Sequence, residues 1–367
     1  MVKQQALTVL VPIIESKVDA LDALLTEIGN DIEGNSHVRF RLTPSTHFAR
    51  WAILDNRPEF GPWLYFSACY DGDFTSYMHQ LTSNIGEGME PIWLATDGYR
   101  PGTCSDAAAF ANFLQRYSVT PSIFLCAFPG LSVNDILGNA ARREIVDRYL
   151  DSDPLSIPRI PEKNAGAAKS FDSVANDRFD KIVNWLNGIE PGERNPNTNV
   201  VTDARLLEIE DKPAVVQNQM TIVSKVKPGF KAWLLIRLFM IIGAIGDKPT
   251  PRGQLSGLST IHFARWVLVN GGRHLLFESN YDGSWENYID DFGDHASTGM
   301  NAVWGCCTGF PAGGSLDIES FKQVIRAHQY PTHVFYSAYP DLTVENIASD
   351  RDLSRTGLIA GVPSGRS

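Results

Sequence analysis

The order of apolar and polar positions along the chain predicts the same succession of elements twice. Short runs rich in β-branched residues are separated by stretches with helical periodicity. The predicted strands are 7–13, 47–54, 64–70, 122–128, 219–225, 262–269, 275–281 and 333–339. The predicted helices are 16–29, 74–84, 105–117, 229–244, 285–295 and 316–328. In each repeat we expect a loop with a tryptophan after the second of these helices. Trp93 follows the helix at 74–84, and Trp304 follows the helix at 285–295.

This succession reflects an internal duplication. Three pairs of segments match in order and spacing: STHFARWAILD (45–55) with STIHFARWVLV (259–269), LYFSACYDGDFTSYM (64–78) with LLFESNYDGSWENYI (275–289), and FLCAFPGLSVNDI (124–136) with FYSAYPDLTVENI (335–347). Self-similarity at this level means that one supersecondary unit occurs twice. We expect a first repeat at 1–140, a partly helical connector at 141–212 and a second repeat at 213–367.

The order of elements also predicts a fold class. A βαββαβ succession is that of the ferredoxin-like split unit. We therefore expect an α+β protein, a tandem duplication of ferredoxin-like units whose sheets pack face to face with helices outside. This arrangement would be a pseudo-dimeric α/β barrel.

The motif blocks carry two resemblances. HFARW, NYDGSWE and YSAYPDLTVENI resemble a bacterial family to which no chemistry is assigned. The tandem topology resembles the dimeric α/β barrel superfamily, which includes dye-decolourising peroxidases, chlorite dismutases and small monooxygenases. This second resemblance implies a ligand such as haem between sheet and helices. The Gly-x-x-Asp-Gly motif of the peroxidases is absent, since Cys69-Tyr70 or Asn280-Tyr281 precedes Asp-Gly.

Composition and charge narrow the choice of partners. The net charge is −10, with no long basic run, which argues against a nucleic-acid partner. Five cysteines without a Cys-x-x-Cys pair are typical of a reduced cytoplasmic protein. The sequence has no nucleotide-binding glycine motif, serine-hydrolase elbow or zincin motif.

The HFARW strand holds the first candidate chemistry. Strict alternation predicts His47, Ala49 and Trp51 on one face of the sheet and Phe48 and Arg50 on the other. A buried arginine needs a partner. One interpretation is a clamp for an anion, with the histidine as acid, base or ligand. The favoured alternative is structural, because both repeats keep both residues: each arginine pairs with the aspartate of its own Tyr-Asp-Gly turn. That aspartate is also expected to cap the helix that follows it.

The repeats differ at positions that favour the second as the active one. Glu278 and Asn280 stand where the first repeat has Ser67 and Cys69. The candidate catalytic residues are His262, Arg265 and Asp282, and the candidate ligand-binding residues are His47, Arg50, Tyr281, Glu278, Asn280 and Tyr336. No metal site is predicted, because the acidic group around Asp291, Asp294 and His295 is typical of a solvated helix face.

The stretch 230–246 is apolar on all sides but too short to span a bilayer, and Arg237 interrupts it. Burial is favoured, under the connector or in a dimer interface. The alternatives are contact with a membrane surface or with a lipid-like ligand. Taken together, the residues favour a protein that binds a small apolar or anionic ligand. The resemblance to the dimeric α/β barrel superfamily implies an oxidoreductase, with haem as the candidate cofactor. The alternative is a non-enzymatic binding module or a membrane-peripheral interaction module that uses 230–246.

Overall fold

The computed structural model describes residues 2–55, 61–152, 173–191, 203–210, 216–246 and 258–355. Within these ranges the strands are β1 (Gln4–Pro12), β2 (Thr46–Leu54), β3 (Trp63–Asp71), β4 (Ile123–Cys126), β5 (Gln217–Lys225), β6 (Ile261–Val269), β7 (His274–Asp282) and β8 (Val334–Ser337). The helices are α1 (Val18–Asn30), α2 (Phe74–Trp93), α3 (Ala107–Tyr117), α4 (Val133–Ser152), α5 (Ser173–Asn187), α6 (Ala204–Glu210), α7 (Phe230–Gly246), α8 (Trp285–Trp304), α9 (Ile318–His328) and α10 (Val344–Arg355).

The strands form two four-stranded antiparallel sheets, and the repeats exchange their last strands. One sheet has the order β1-β3-β2-β8 and the other the order β4-β6-β7-β5. In the first sheet Ala49 of β2 pairs with Tyr336 of β8, and in the second Ala264 of β6 pairs with Leu125 of β4. Each sheet therefore contains three strands of one repeat and one strand of the other. The α+β class is confirmed.

The segments that lead into β4 and β8 connect the two sheets. The amide of Val119 donates to the carbonyl of Thr8 in β1 at 2.9 Å, before the chain reaches β4. The amide of Tyr330 likewise donates to the carbonyl of Thr221 in β5 at 2.9 Å, before the chain reaches β8. Each segment thus begins beside the first strand of its own repeat and ends in the sheet of the other repeat.

The molecule has four layers, with the two sheets inside and helices on their outer faces. One core lies between the first sheet and its helices and includes Ala49 and Trp51, and its counterpart in the second repeat includes Trp266. Two further cores lie between the sheets, and Phe48 and Ala52 belong to these. Alternation of side chains along a strand separates the two sets.

Helix α2 is longer than predicted, and the loop expected after 84 is wrong, because α2 continues to Trp93. The helical segment α8 also extends to Trp304, but its backbone is kinked and non-helical at Ala296, directly after the predicted helix end at 295. Glycine lowers helix propensity, so Gly88 inside α2 does not favour the helix by itself. The reason for glycine is a close approach: a Cβ at Gly88 would lie 1.6 Å from the carbonyl oxygen of His37.

Two helices after the last strands were not predicted as part of the repeats. α4 and α10 follow β4 and β8, and Arg143 of α4 pairs with Asp350 of α10 at 2.8 Å. The expected repeat boundary at residue 140 falls inside α4. Of the connector, the structure describes the remainder of α4 together with α5 and α6.

Among the described residues, α7 is not buried on most sides as expected, and its burial in a dimer interface stays a prediction. Leu235 and Phe239, one turn apart, are buried against the sheet, whereas Phe230, Trp233 and Met240 are more than half exposed. The helix therefore has one buried apolar face and one exposed apolar face.

Candidate functional site

The two HFARW histidines lie between the sheets, on the side opposite to that predicted. Pairing with β3 shifts between Thr46 and Phe48, and the corresponding shift in the second repeat lies between Ile261 and Phe263. A bulge adds one residue to a strand and redirects a side chain. The ring of His47 consequently packs 5.3 Å from that of Phe263, among the residues between the sheets.

Each of these histidines binds the aspartate of its own Tyr-Asp-Gly turn. Nε2 of His47 lies 2.9 Å from Oδ1 of Asp71, and Nε2 of His262 lies 2.6 Å from Oδ1 of Asp282. A carboxylate only accepts hydrogen bonds, so Nε2 carries a proton, and in the corresponding tautomer of the neutral ring Nδ1 is the acceptor. The prediction that arginine is the partner of this aspartate is wrong.

The second carboxylate oxygen of each aspartate binds the start of the last helix of its repeat. The amide of Val133 donates to Asp71 at 2.8 Å, and that of Val344 donates to Asp282 at 2.8 Å. The helix after the turn is capped instead by Asp73 or Ser284. The prediction that this aspartate caps the following helix is therefore wrong, and the aspartate binds the first amide of α4 or α10 instead.

The two histidines differ at Nδ1. The hydroxyl of Tyr339 donates to Nδ1 of His47 at 2.9 Å. Phe128 occupies the corresponding place in the first repeat and has no hydroxyl, and Nδ1 of His262 is buried without a hydrogen-bond partner among the described residues. The unpaired Nδ1 of His262 is therefore a difference between two histidine sites that otherwise match.

The two arginines reach across to the opposite sheet in matching ways. Arg50 donates to the carbonyl of Met220 and the hydroxyl of Thr221, each at 3.0 Å. Arg265 donates to the carbonyl of Leu7 at 2.6 Å and the hydroxyl of Thr8 at 3.1 Å. Both guanidinium groups are almost wholly buried and are bound by protein groups. The geometry agrees with a structural role that joins the two repeats.

Glu278 supplies the carboxylate that lies beside these two buried arginines. Its Oε1 lies 3.4 Å from Nη2 of Arg265 and 3.8 Å from Nε of Arg50, and Tyr65 donates to Oε2. Burial alone would raise the pKa of Glu278, but the two arginines hold it below its usual value. The first repeat has Ser67 at the matching position and supplies no second carboxylate there. Glu278 therefore lies close to both buried arginines.

The thiols do not present a nucleophile. The five cysteines are free, and burial raises the pKa of Cys69 to about 11 and that of Cys104 to about 12. A thiol is nucleophilic as the thiolate, so a raised pKa lowers its reactivity.

The predicted site residues are only partly brought together. His47, Arg50, His262, Arg265, Glu278 and Asn280 lie between the sheets, and Asp282 lies at the edge of this region. Tyr281 and Tyr336 belong to the outer cores, on the helix sides of the sheets. A single pocket containing all the predicted ligand-binding residues is therefore not formed.

Two surface cavities formed by the described residues have volumes of several hundred Å³ or more, and neither is lined by an HFARW residue. One, of about 1210 Å³, lies between α2 and the segments around His37 and Cys104. The other, of about 600 Å³, lies between α1, α6 and the segment before β8. Among the described residues, no three His, Cys, Asp or Glu side chains are placed to hold a metal ion. Asp290 of the acidic helix face pairs instead with Lys322 at 2.7 Å.

No family model, curated protein or solved structure matches the chain. The resemblance to the dimeric α/β barrel superfamily stays an expectation from the sequence. So do the catalytic and ligand-binding roles of the predicted residues, and the haem that the resemblance implied.

The exposed apolar side chains of α5 and α7 are here together named the α5–α7 surface. The sequence offered the α7 part, 230–246, as a contact surface, but sequence reasoning missed the contribution of α5. The side chain amine of Lys231 in α7 donates to the side-chain oxygen of Asn187 in α5 at 2.7 Å, which joins the two helices. The large apolar side chains that they expose are Phe179, Ile182, Trp185, Phe230, Trp233, Ile236, Met240 and Ile241. Apolar spacing of three and four residues in 179–186 was the available signal.

Proposed function

We propose that the protein binds peripherally to an anionic membrane surface and that the α5–α7 surface makes the contact. The observation that carries this proposal is the concentration of exposed apolar side chains. The described residues include fifteen large apolar side chains that are exposed, and eight of them belong to α5 and α7. Scattered apolar side chains are normal on a protein surface, but their concentration on two helices that Lys231 joins favours an interaction site.

Local charge supports an anionic partner. The segment 225–246 contains Lys225, Lys227, Lys231 and Arg237 and no acidic residue, although the whole chain has a net charge of −10. Arg273 is exposed in the turn between β6 and β7, beside α7, where Gly272 approaches Ile236. Basic residues that border an apolar helix face favour anionic lipid headgroups.

The helix geometry supports a contact that lies along the surface. Among the described residues, no helix combines the length and the apolar character needed to cross a membrane. Trp233 and Phe230 stack on each other at 5.8 Å between ring centroids and are both more than half exposed. Aromatic side chains of this kind prefer the boundary between headgroups and acyl chains.

We propose in addition that the scaffold consists of two ferredoxin-like units in a pseudo-dimeric α/β barrel. The order of strands within each repeat supports this, as do the segments at Val119 and Tyr330 that connect the sheets at both edges. Neither of the two surface cavities lies beside the HFARW strands, so neither supports the oxidoreductase hypothesis with haem or another small ligand there. The membrane-peripheral function is therefore preferred.

Co-sedimentation with vesicles tests the function. The full chain should sediment with vesicles that contain phosphatidylserine and much less with pure phosphatidylcholine. Replacing Trp233, Met240 and Ile241 together by serine should abolish most of this binding, because these side chains are more than half exposed and form the apolar contact.

The matched control replaces three exposed apolar side chains elsewhere, Leu42, Leu137 and Ile145, by serine. This variant should sediment like the wild type, and thermal melting verifies that both variants are folded. Equal loss in the two variants contradicts the proposal. The proposal is also contradicted if the wild-type chain does not sediment with vesicles and instead self-associates through the α5–α7 surface, as measured by size-exclusion chromatography.

A further inference from the structure

The connector helix α5 lies in a groove of the second repeat, between α8 and the turn that precedes α9. Thr298 of α8 donates to the carboxylate of Asp180, and the side-chain amide of Asn301 donates to Asn184 at 3.0 Å. The side-chain amide of Asn187 donates to the backbone carbonyl of Asn301 at 3.0 Å. Three polar side chains of α5 therefore face the second repeat.

The orientation of α5 is the reverse of that usual for a surface helix, which buries its apolar face. Phe179, Ile182 and Trp185 are more than half exposed, whereas Val183 is buried on the side of the groove. The polar side chains that bind α8 are three and four residues apart and so share one face of the helix. The attachment of α5 therefore depends largely on polar complementarity between helix and groove.

The first repeat has a groove at the matching place, here named the α2 groove. Alignment of GMEPIWLATDGY with GMNAVWGCCTGF matches Glu90 with Asn301 and, two turns of chain earlier in register, Glu87 with Thr298. Glu87 and Glu90 belong to the wall of the larger cavity, whose volume is about 1210 Å³. Among the described residues, no helix lies in the α2 groove as α5 lies in the groove of the second repeat.

The match between the two grooves extends to their hydrogen bonds. The amide of Cys104 donates to the carboxylate of Glu90 at 3.4 Å, and the amide of Ser315 donates to the side-chain oxygen of Asn301 at 2.9 Å. In both repeats the same position of the long helix thus holds the turn that precedes the next helix. The α2 groove is therefore the structural counterpart of a groove that already holds a helix.

The two grooves differ in charge. The α2 groove has Glu87 and Glu90 where the second repeat has neutral residues, and these two carboxylates outnumber the cation of Arg39 in the same wall. In a helix docked as α5 is, Asp180 would face Glu87, and like charges disfavour such a pair. A basic side chain at the position of Asp180 or Asn184 would instead be attracted. The α2 groove therefore disfavours α5 of a second copy and favours a helix with a basic face.

Two further differences restrict the helix that fits. A Cβ at Gly305 would lie 2.7 Å from Cγ of Asn187, and Leu94 stands at the matching position of the α2 groove. A helix in this groove therefore needs a small residue at the position of Asn187. Leu42, which is 47% exposed in the wall of the groove, offers an apolar contact.

We propose that the α2 groove binds an amphipathic helix of a partner protein, which presents basic side chains to Glu87 and Glu90. Helices that dock in grooves do so through residues spaced three and four apart, as α5 does in the second repeat. The α2 groove includes no residue of α5 or α7, so this binding is independent of the membrane contact.

Calorimetric titration of the full chain with two synthetic peptides tests the proposal without lipid. Both peptides have the sequence of residues 173–190 with Asn187→Ala, and the basic peptide carries Asp180→Lys and Asn184→Lys in addition. The basic peptide should bind, and the other, acidic peptide should bind about tenfold more weakly or less, because its Asp180 would face Glu87.

Reversal of one charge in the groove gives the sharper variant. Glu87→Lys should weaken binding of the basic peptide by about tenfold and should strengthen binding of the acidic peptide, because the new side chain repels the first and attracts the second. The matched control is Glu345→Lys, which makes the same change in net charge at an exposed position of α10 outside the groove. This control should bind both peptides as the wild type does.

Backbone amide resonances locate the bound peptide. Those of Gly88 and Gly102, which line the α2 groove, should shift when the basic peptide is added. Those of Gly299 and Gly313, at the matching positions of the second repeat, should stay unchanged, because α5 already lies there.

Four outcomes overturn the proposal. They are no binding of the basic peptide to a folded wild-type chain, equal effects of Glu87→Lys and Glu345→Lys, and shifts at Gly299 and Gly313 that show displacement of α5 from its own groove. The fourth is dimerisation that Glu87→Lys alters while the basic peptide does not bind, which identifies a second copy as the occupant. Thermal melting of every variant separates a loss of binding from a loss of folding.

Discussion

The guanidinium of Arg50, from the first repeat, lies 3.8 Å from the carboxylate of Glu278, from the second. Arg265 of the second repeat approaches the same carboxylate at 3.4 Å. Among the described residues, Glu278 is the carboxylate that faces both buried arginines, and only the second repeat supplies it. The two halves are therefore not equivalent at their shared core.

Glu278→Gln should lower the free energy of unfolding by about 3–5 kcal/mol, because it leaves two buried arginines without a carboxylate. Denaturant unfolding at pH 7 measures the change. The matched control is Glu286→Gln, since Glu286 faces Arg326 at 3.7 Å with a side chain that is 56% exposed, and it should cost less than about 1 kcal/mol. A loss below 1 kcal/mol for Glu278→Gln contradicts the assigned role of the carboxylate.

The unequal histidines give a pair of opposite predictions. Tyr339→Phe removes the donor to Nδ1 of His47 and should cost about 1–3 kcal/mol, because it leaves a buried acceptor unsatisfied. Phe128→Tyr should be neutral or stabilising by about 1 kcal/mol, because the new hydroxyl supplies a donor to Nδ1 of His262.

The ring geometry supports the second substitution. Phe128 and His262 lie 5.9 Å apart at 77°, nearly as Tyr339 and His47 do at 5.8 Å and 76°. Thermal unfolding of the two variants and of the double variant measures both effects. Destabilisation by Phe128→Tyr as large as that by Tyr339→Phe would show that the two sites are not equivalent.

Much of the scaffold was predictable from the sequence because its signals are local. The repeat of HFARW and Tyr-Asp-Gly located β2, β3, β6 and β7, and alternation placed Trp51 and Phe48 on opposite faces. The exchange of β4 and β8 was not predictable, because the partner of a strand is decided by packing far along the chain.

The candidate site was less predictable than the scaffold, for two physical reasons. The bulge at His47 lies between Thr46 and Phe48, where neither glycine nor proline marks it, and it moved the histidine to the other face. The pair of Asp22 and His333 joins residues that are 311 positions apart, so no spacing motif could indicate it.

His333 should make stability depend on pH. Burial lowers its pKa below the ordinary value of 6.5, so the unfolded chain binds this proton more readily than the folded chain does. Stability should therefore be complete above about pH 6.5 and fall as the pH drops below it, by at most about 1.4 kcal/mol per pH unit. Denaturant unfolding at a series of pH values measures the slope. His333→Gln should remove this part of the slope, and an unchanged slope in that variant contradicts the assignment.

Two glycines at matching positions of the long helices should respond oppositely to alanine. In Gly88→Ala the new Cβ would lie 1.6 Å from the carbonyl oxygen of His37, which is backbone and cannot turn away. This variant should lose about 1–3 kcal/mol or more through overpacking. Around Gly299 of α8 a Cβ would meet no described atom within 4 Å, so Gly299→Ala should gain up to about 1 kcal/mol from helix propensity. Thermal unfolding compares the two variants directly, each serving as the control for the other. If both variants gained stability, the segment at His37 would have to move easily away from α2, and the close approach would not explain why glycine occupies position 88.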